Sequence, residues 1–500
     1  MRRRSPAAVL AAATALAVLT GLTACKGDAS STAGTPGDPQ AGASSSTASA
    51  SPSDGASDGA GDDLADAVSD PVEDSVYPDV GDPSVDALHY DLDLAWEPDG
   101  RILTGHEVLT FRSTGDADHV QLDLEPQLEV SSVRVDGEDA DHEHAGKDLV
   151  VSGDFAADET YELEIAYSGS PRPVQAPTTR ADFSTTGFTV ADDGSAWTMQ
   201  EPFGAYTWYA VNDQPSDKAF YDFTLHVPAP WVGVANGQLQ DRRRRGGQTV
   251  TDWHLDSKTS SYLVTVAFGD YSMTKATSPS GVPLTYWVPK SEPEYQRPLA
   301  YTPLALDWVE NKLGPYPWSS LGILVVDSNS GMETQSMITL GDTAYTTERD
   351  TLVHEIVHQW YGDQATPSDW RDLWMNEGMA MYLQFVWRSE NGSQSLEDIL
   401  SQAARYERIS RRINGPPADY DPRTFGEIQV YYGPALMWDQ IRRRVGDEKF
   451  WAMVRAWPAH DRDGTVDRDE YLPWIEKETG TDLSDLFDGW LLAEKSPKFS

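Results

Sequence analysis

Cysteine is almost absent from this 500-residue chain: the single residue, Cys25, rules out any intramolecular disulfide. Basic residues are scarce too, 38 Lys and Arg against 80 Asp and Glu, and the net charge of −42 argues against nucleic acid as a partner and against docking on anionic lipid. The longest run of positive charge, Arg242 to Arg245, precedes Gly246-Gly247 between strand-like segments and reads as a solvated hairpin loop. No internal repeat is visible. Large apolar side chains are nearly missing from residues 26–75, which are mostly Gly, Ser, Ala, Thr, Pro and Asp. Such a segment cannot bury enough surface to fold and is expected to form a disordered tether, with roughly 40 Å between its ends.

The remainder is rich in core-forming residues. Hydrophobic content of 39%, with 17 Trp and 21 Tyr, supplies large cores, and the length suggests two or more domains. From about Pro83 apolar residues alternate: Tyr90, Leu92, Leu94 and Trp96, then Val120, Leu122 and Leu124, then Tyr161, Leu163, Ile165 and Tyr167. This period predicts a β-rich domain over 76–278. Within it, Asp141-His142-Glu143-His144 reads as a solvated turn rather than a metal site. Residues 279–500 are mixed, with strand candidates at 283–288 and 321–326. Mostly helical patterns follow, including 432–444, 449–457 and 483–492. Asp461 to Gly464 hints at a calcium loop, but Val466 stands where an EF-hand needs glycine.

The second half carries a chemical constellation, His354-Glu355-Ile356-Val357-His358. Residues four apart share one helix face, so His354 and His358 can reach one Zn²⁺ while Glu355 beside them acts as base towards a water. After eighteen intervening residues, Glu377 opens a second apolar, helix-like run (Met379, Ala380, Tyr382, Leu383, Val386) and is expected to supply a third ligand, leaving the fourth position to water. Thr347 and Asp350 are expected to cap the first helix, with Val353, Ile356, Val357 and Trp360 on its apolar side. Tyr361 and Gln364 exclude the longer HExxHxxGxxH pattern. One zinc ion per chain and a metallopeptidase are the expectation.

These residues also carry a resemblance. The segment from His354 to Asp363 (HEIVHQWYGD), its spacing to Glu377 and the segment Asp372 to Gly378 (DLWMNEG) resemble the M1 family of zinc aminopeptidases, gluzincins related to aminopeptidase N. GDPSVDALHYDLDL from Gly81 and NDQPSDKAFYDFTLHVP from Asn212 resemble that family's N-terminal β domain, and Leu486 to Trp490 the end of its catalytic domain. The resemblance implies an α+β multidomain protein, an all-β saddle-like domain followed by a mostly helical thermolysin-like zinc peptidase domain, in a compact two-domain form. It implies that Glu355 is the catalytic base and that Glu333, in Gly331-Met332-Glu333, binds the substrate's α-amino group. Thr334 stands in the place of the family's Asn. It implies a second amine anchor at Glu201, with Met199 at the place of the family's Gln, and a catalytic phenol at Tyr431, with Tyr432 as the alternative. The expected activity is zinc-dependent hydrolysis of the N-terminal peptide bond of peptides or proteins. A gluzincin endopeptidase and a degenerate, zinc-containing peptide-binding lipoprotein stay open as alternatives.

Residues 1–25 read as an address. Arg2 to Arg4 precede an apolar stretch from Ala7 to Leu22, and Leu22-Thr23-Ala24-Cys25 resembles a bacterial lipoprotein signal. Cleavage before Cys25, a lipid on its thiol and an extracytoplasmic, membrane-anchored protein, with some of it secreted, are what that resemblance implies; the expected state is a monomer.

Overall fold

Period-two patterning is realised in the strand Val85–Glu97, where Tyr90, Leu92, Leu94 and Trp96 are buried and Asp91 and Asp93 exposed. The computed structural model describes residues 60–460 and 462–499. The signal-like segment, Cys25 and the tether before residue 60 lie outside them. Val85–Glu97 sits inside an eight-stranded mixed sheet, antiparallel to Ile102–Ser113 and parallel to Lys218–Pro228. A five-stranded sheet containing Thr185–Val190 and Ala196–Met199, and a three-stranded sheet around Asp148–Phe155, complete an all-β first half.

The second half is built on a five-stranded sheet in the order Tyr271–Thr277, Pro283–Pro289, Leu321–Val326, Met337–Gly341, Gly331–Met332. Leu321–Val326 is buried throughout and parallel to both neighbours, as its unbroken apolar run requires. Gly331–Met332 forms an edge, antiparallel to Met337–Gly341. The helices of eight or more residues are α1 (Ala60–Ala67), α2 (Thr302–Leu313), α3 (Arg349–His358), α4 (Trp374–Asn391), α5 (Leu396–Asn414), α6 (Ile428–Val445), α7 (Asp447–His460) and α8 (Arg468–Thr479). An all-β half followed by a helical one is thus the architecture. Among the described residues, no helix is long and apolar enough to cross a membrane.

Several expectations are corrected. The tether does not run to residue 75: α1 is helical, and Ser69, Val72 and Asp74 are bonded to both halves of the body. The boundary at 278 divides a hairpin, because Tyr271–Thr277 pairs with Pro283–Pro289 in the second half's sheet. Arg242 to Arg245 lie on the exposed strand Gln238–Arg245 rather than in its turn, and His142–Ala145 is an exposed edge strand. Thr347 does not cap α3; its hydroxyl donates to the Thr343 carbonyl, and Glu348 takes the N-cap position without a side-chain bond.

Two contacts show how the halves are joined and packed. Asp74 accepts from the backbone N–H groups of Val76 (2.9 Å), Tyr77 (2.7 Å) and Trp370 (2.6 Å), stitching the N-terminal segment to the helical half. On α4, Gly378 lies against Pro434 of α6, where an added Cβ would come within 2.4 Å of the proline's. Asp74→Ala leaves three backbone donors unpaired, two of them buried, and is expected to lower stability by roughly 2 kcal/mol in urea denaturation. Gly378→Ala overpacks the helix pair and is expected to cost about 1–3 kcal/mol, most of it recovered when Pro434→Gly is added.

Candidate functional site

Helix α3 has no wet side: every residue from Thr351 to His358 is buried. Its positions i, i+3, i+4 and i+7 (Thr351, His354, Glu355, His358) line a cleft between the halves. The same spacing on α4 brings Glu377, Met381 and Gln384 to that cleft. Packing of α4 on α3 places Glu377 Oε2 at 3.2 Å from His354 Nε2 and 3.5 Å from His358 Nε2, the two nitrogens being 3.1 Å apart. Donors held about 2.0–2.1 Å from a tetrahedral Zn²⁺ stand about 3.3 Å from one another, so the three atoms fit such an ion. The turn after α3, with Gly362 at φ +127°, directs the Tyr361 carbonyl to accept from His358 Nδ1 at 3.0 Å, which orients the ring's Nε2 into the cleft.

Glu355 lies beside this set. Gly331 of the edge strand makes room for it, since a Cβ there would stand 2.7 Å from Glu355 Oε1. Burial, with Glu333 and Glu377 nearby, pushes the Glu355 carboxyl up to about 8, against the pull of His358 and Arg180. Burial also works to raise Glu377, but His358 and His354 hold it well below the usual carboxylate range. Burial opposes charge on His358, yet Glu333, Glu377 and Glu355 lift it well above the ordinary imidazole value. The cleft therefore draws in positive charge.

Glu333 follows the edge strand, and Glu201 follows Ala196–Met199 of the β half. Carboxylate oxygens of Glu201, Glu333 and Glu377 lie within 4.8 Å of one another. Glu201 Oε1 and Glu333 Oε1 are both buried and have no hydrogen-bond partner among the described residues. Burial, then Glu333 and Glu377, raises the Glu201 carboxyl well above its usual range; burial and Glu377 raise that of Glu333. Thr334 is turned away from them, its hydroxyl bonding the Met337 carbonyl and Thr339, so it shapes the turn after Glu333. Gln200 is spent inside the β half, donating to the Ser261 carbonyl and accepting from Trp208, while Met199 lines the cleft.

Tyr431, in the first turn of α6, lines the cleft with its ring centroid 6.2 Å from that of His354. Tyr432 packs on Phe385 instead, 5.5 Å between centroids. All seven site residues named from the sequence therefore meet in one cleft. Two contributors were not named. Gln359 donates to the Glu333 carbonyl (2.9 Å) and accepts from Ser336 N–H (2.9 Å), holding the edge turn to α3; its place directly after His358 was the available signal. Arg180, from a β-half loop, donates to Tyr431 Oη at 2.8 Å, and no local pattern announces it.

Comparison with known proteins agrees with this geometry. The family description "Peptidase family M1 domain" matches residues 298–490, and "Peptidase M1 N-terminal domain" matches 86–263. Aminopeptidase N from Streptomyces lividans is 25% identical over 332 residues, covering 60% of this chain and 38% of that protein. Leucine aminopeptidase 2 from Aspergillus fumigatus is 24% identical over 447 residues, covering 80% and 69%. The chain thus spans well under half the length of the first of these relatives. The M1 zinc metallopeptidase of Deinococcus radiodurans has the same fold, with a TM-score of 0.75 at 22% identity over 86% of this chain and 98% of that one. With both halves matched in order and the matched segments holding the cleft, the chain belongs to the M1 peptidase family.

Proposed function

We propose that this protein is a zinc-dependent aminopeptidase that removes the first residue from peptides or proteins with a free N-terminus. The observation that carries the reading is the pair Glu201 and Glu333. Each has a buried, unpartnered oxygen, and both stand beside the His354, His358, Glu377 set. A substrate ammonium supplies the donors they lack through charge-assisted hydrogen bonds, and the short reach from them to Glu377 leaves space for one residue. Aminopeptidase names among the relatives support the same reading, as does the Deinococcus protein, a variant of which is described as bound to the substrate Tyr-Ser-Ala.

His354, His358 and Glu377 would hold one Zn²⁺ per chain, which when bound acidifies water and polarises a carbonyl. Glu355 takes the proton of the attacking water and returns it to the departing amine. The Tyr431 hydroxyl donates to the carbonyl oxygen as that atom gains charge, a contact worth roughly 3–4 kcal/mol when a single donor is lost. Glu201 and Glu333 fix the register, so that only the first peptide bond meets Glu355. Because one chain holds every group, a monomer suffices.

The reading extends to location. Leu22-Thr23-Ala24-Cys25, with Cys25 the sole cysteine, supports lipid attachment and an extracytoplasmic, membrane-anchored enzyme, with some of it secreted.

Purified protein is expected to contain one equivalent of zinc by elemental analysis and to cleave free short peptides but not their N-acetylated forms. Glu355→Gln should keep the zinc and lose turnover by about a thousandfold or more. Cleavage of blocked peptides would make the protein an endopeptidase, and zinc without cleavage of either set would make it a binding protein. For the anchor, the full chain made in a bacterium that processes lipoproteins should partition into detergent and Cys25→Ser into water; equal partitioning would remove the lipid.

A further inference from the structure

A loop of the β half reaches across to the start of α6. Phe425 N–H donates to the Pro177 carbonyl (2.9 Å) and the Thr178 hydroxyl to the Phe425 carbonyl (2.8 Å). Thr179 bonds the Glu427 carboxylate, and Arg180 Nη1 donates to the Gly426 carbonyl (3.0 Å). The same Nη1 donates to Tyr431 Oη at 2.8 Å. Asp182 grips the other edge of the guanidinium through Nε and Nη2, and the Phe183 ring lies 4.5 Å beneath it. Four of the five guanidinium N–H groups are thus engaged, so Arg180 is a fixed clamp and not a free receptor for a substrate anion.

Resting on the aminopeptidase reading above, we propose that Arg180 is the positioning residue for Tyr431. A phenol has one proton to give and lone pairs to receive. Arginine has no acceptor and keeps its proton, so in the Arg180–Tyr431 contact the tyrosine oxygen can only accept. That occupies the lone-pair side facing the loop and leaves the hydroxyl proton to point away, into the cleft, where the reacting carbonyl oxygen gains charge. The cationic donor also polarises the O–H bond and strengthens its onward hydrogen bond. Asp182 and the bonds to residues 425–427 hold the clamp in place, so the β half sets the geometry of a group borne by the helical half.

The test is a double-mutant cycle with a free tripeptide, reading kcat and KM separately and following zinc content and melting temperature. Arg180→Ala is expected to lower kcat about tenfold to a hundredfold with KM changed less than about twofold, zinc retained, and partial recovery on adding guanidinium ion. In a Tyr431→Phe background the same substitution should change kcat by less than about twofold, since the hydroxyl through which it acts is gone. Asp182→Ala, which frees the clamp without removing its charge, should give a smaller loss of the same kind and keeps the test open if Arg180→Ala folds poorly. Equal losses in both backgrounds, or a loss confined to KM, would overturn the assignment of Arg180 alone. Turnover untouched by Tyr431→Phe would remove the phenol's role and this proposal while the aminopeptidase reading stands; no turnover by the wild type would remove both.

Discussion

Glu201, Glu333, Glu355 and Glu377 share one cleft, and burying four carboxylates together is the demand around which the other features are arranged. Taking a single carboxylate out of water costs several kcal/mol unless a partner compensates, and repulsion among four multiplies the difficulty. The protein's own response is partial. It supplies two imidazoles to Glu377 and one guanidinium at the cleft wall, and leaves oxygens of Glu201 and Glu333 without partners. On the proposed reading, two positive charges from outside would complete the balance, one at the His, His, Glu corner and one between Glu201 and Glu333. The stored repulsion would then serve as selectivity for a cation and a free amine.

Such a cluster requires a stiff frame. It comes from elements that have little other reason to meet: a helix buried from Thr351 to His358, the first turns of α4 and α6, an edge strand and two loops of the β half. Small residues make the approach possible, Gly331 beneath Glu355 and Gly378 against Pro434. Side-chain amides finish it, with Gln359 tying the edge turn to the helix that bears both histidines. Neither half holds the whole site, because Glu201 and Arg180 belong to the β half while His354, His358 and Glu377 belong to the helical one.

What was legible in the sequence was whatever repeats at a fixed spacing. Alternation exposed the strands of the first half, and the four-residue interval from His354 to His358 set both imidazoles on one helix face. Glu377 was legible because it too opens a helical pattern, and Tyr431 by its distance from Ala435. The contacts that escaped are those between residues far apart in the chain with no periodic signature. Arg180 and Tyr431 are separated by 251 positions, and the loop bearing the arginine has the composition of any surface turn. The domain boundary escaped because a strand's pattern says that it pairs but not with which sheet. The tether's end was misplaced for a related reason: residues 69–75 are held largely by backbone, hydroxyl and carboxylate hydrogen bonds to distant residues, which composition does not report.

That short segment has a bearing on the order in which the molecule is assembled. Ser69 bonds Asp86 and Val72 bonds Ser216, but Asp74 and Ser75 await Trp370 and Asp369, nearly 300 residues later, and Tyr77 awaits the carbonyl of Pro422, 345 positions on. A chain emerging from its N-terminus can complete the β half long before these partners exist. Contacts of such long range close late and slowly, after most of the loop entropy has been spent. Residues 74–77, made before the β half, are therefore among the last to lock, and they act as a latch that shuts only on a finished body.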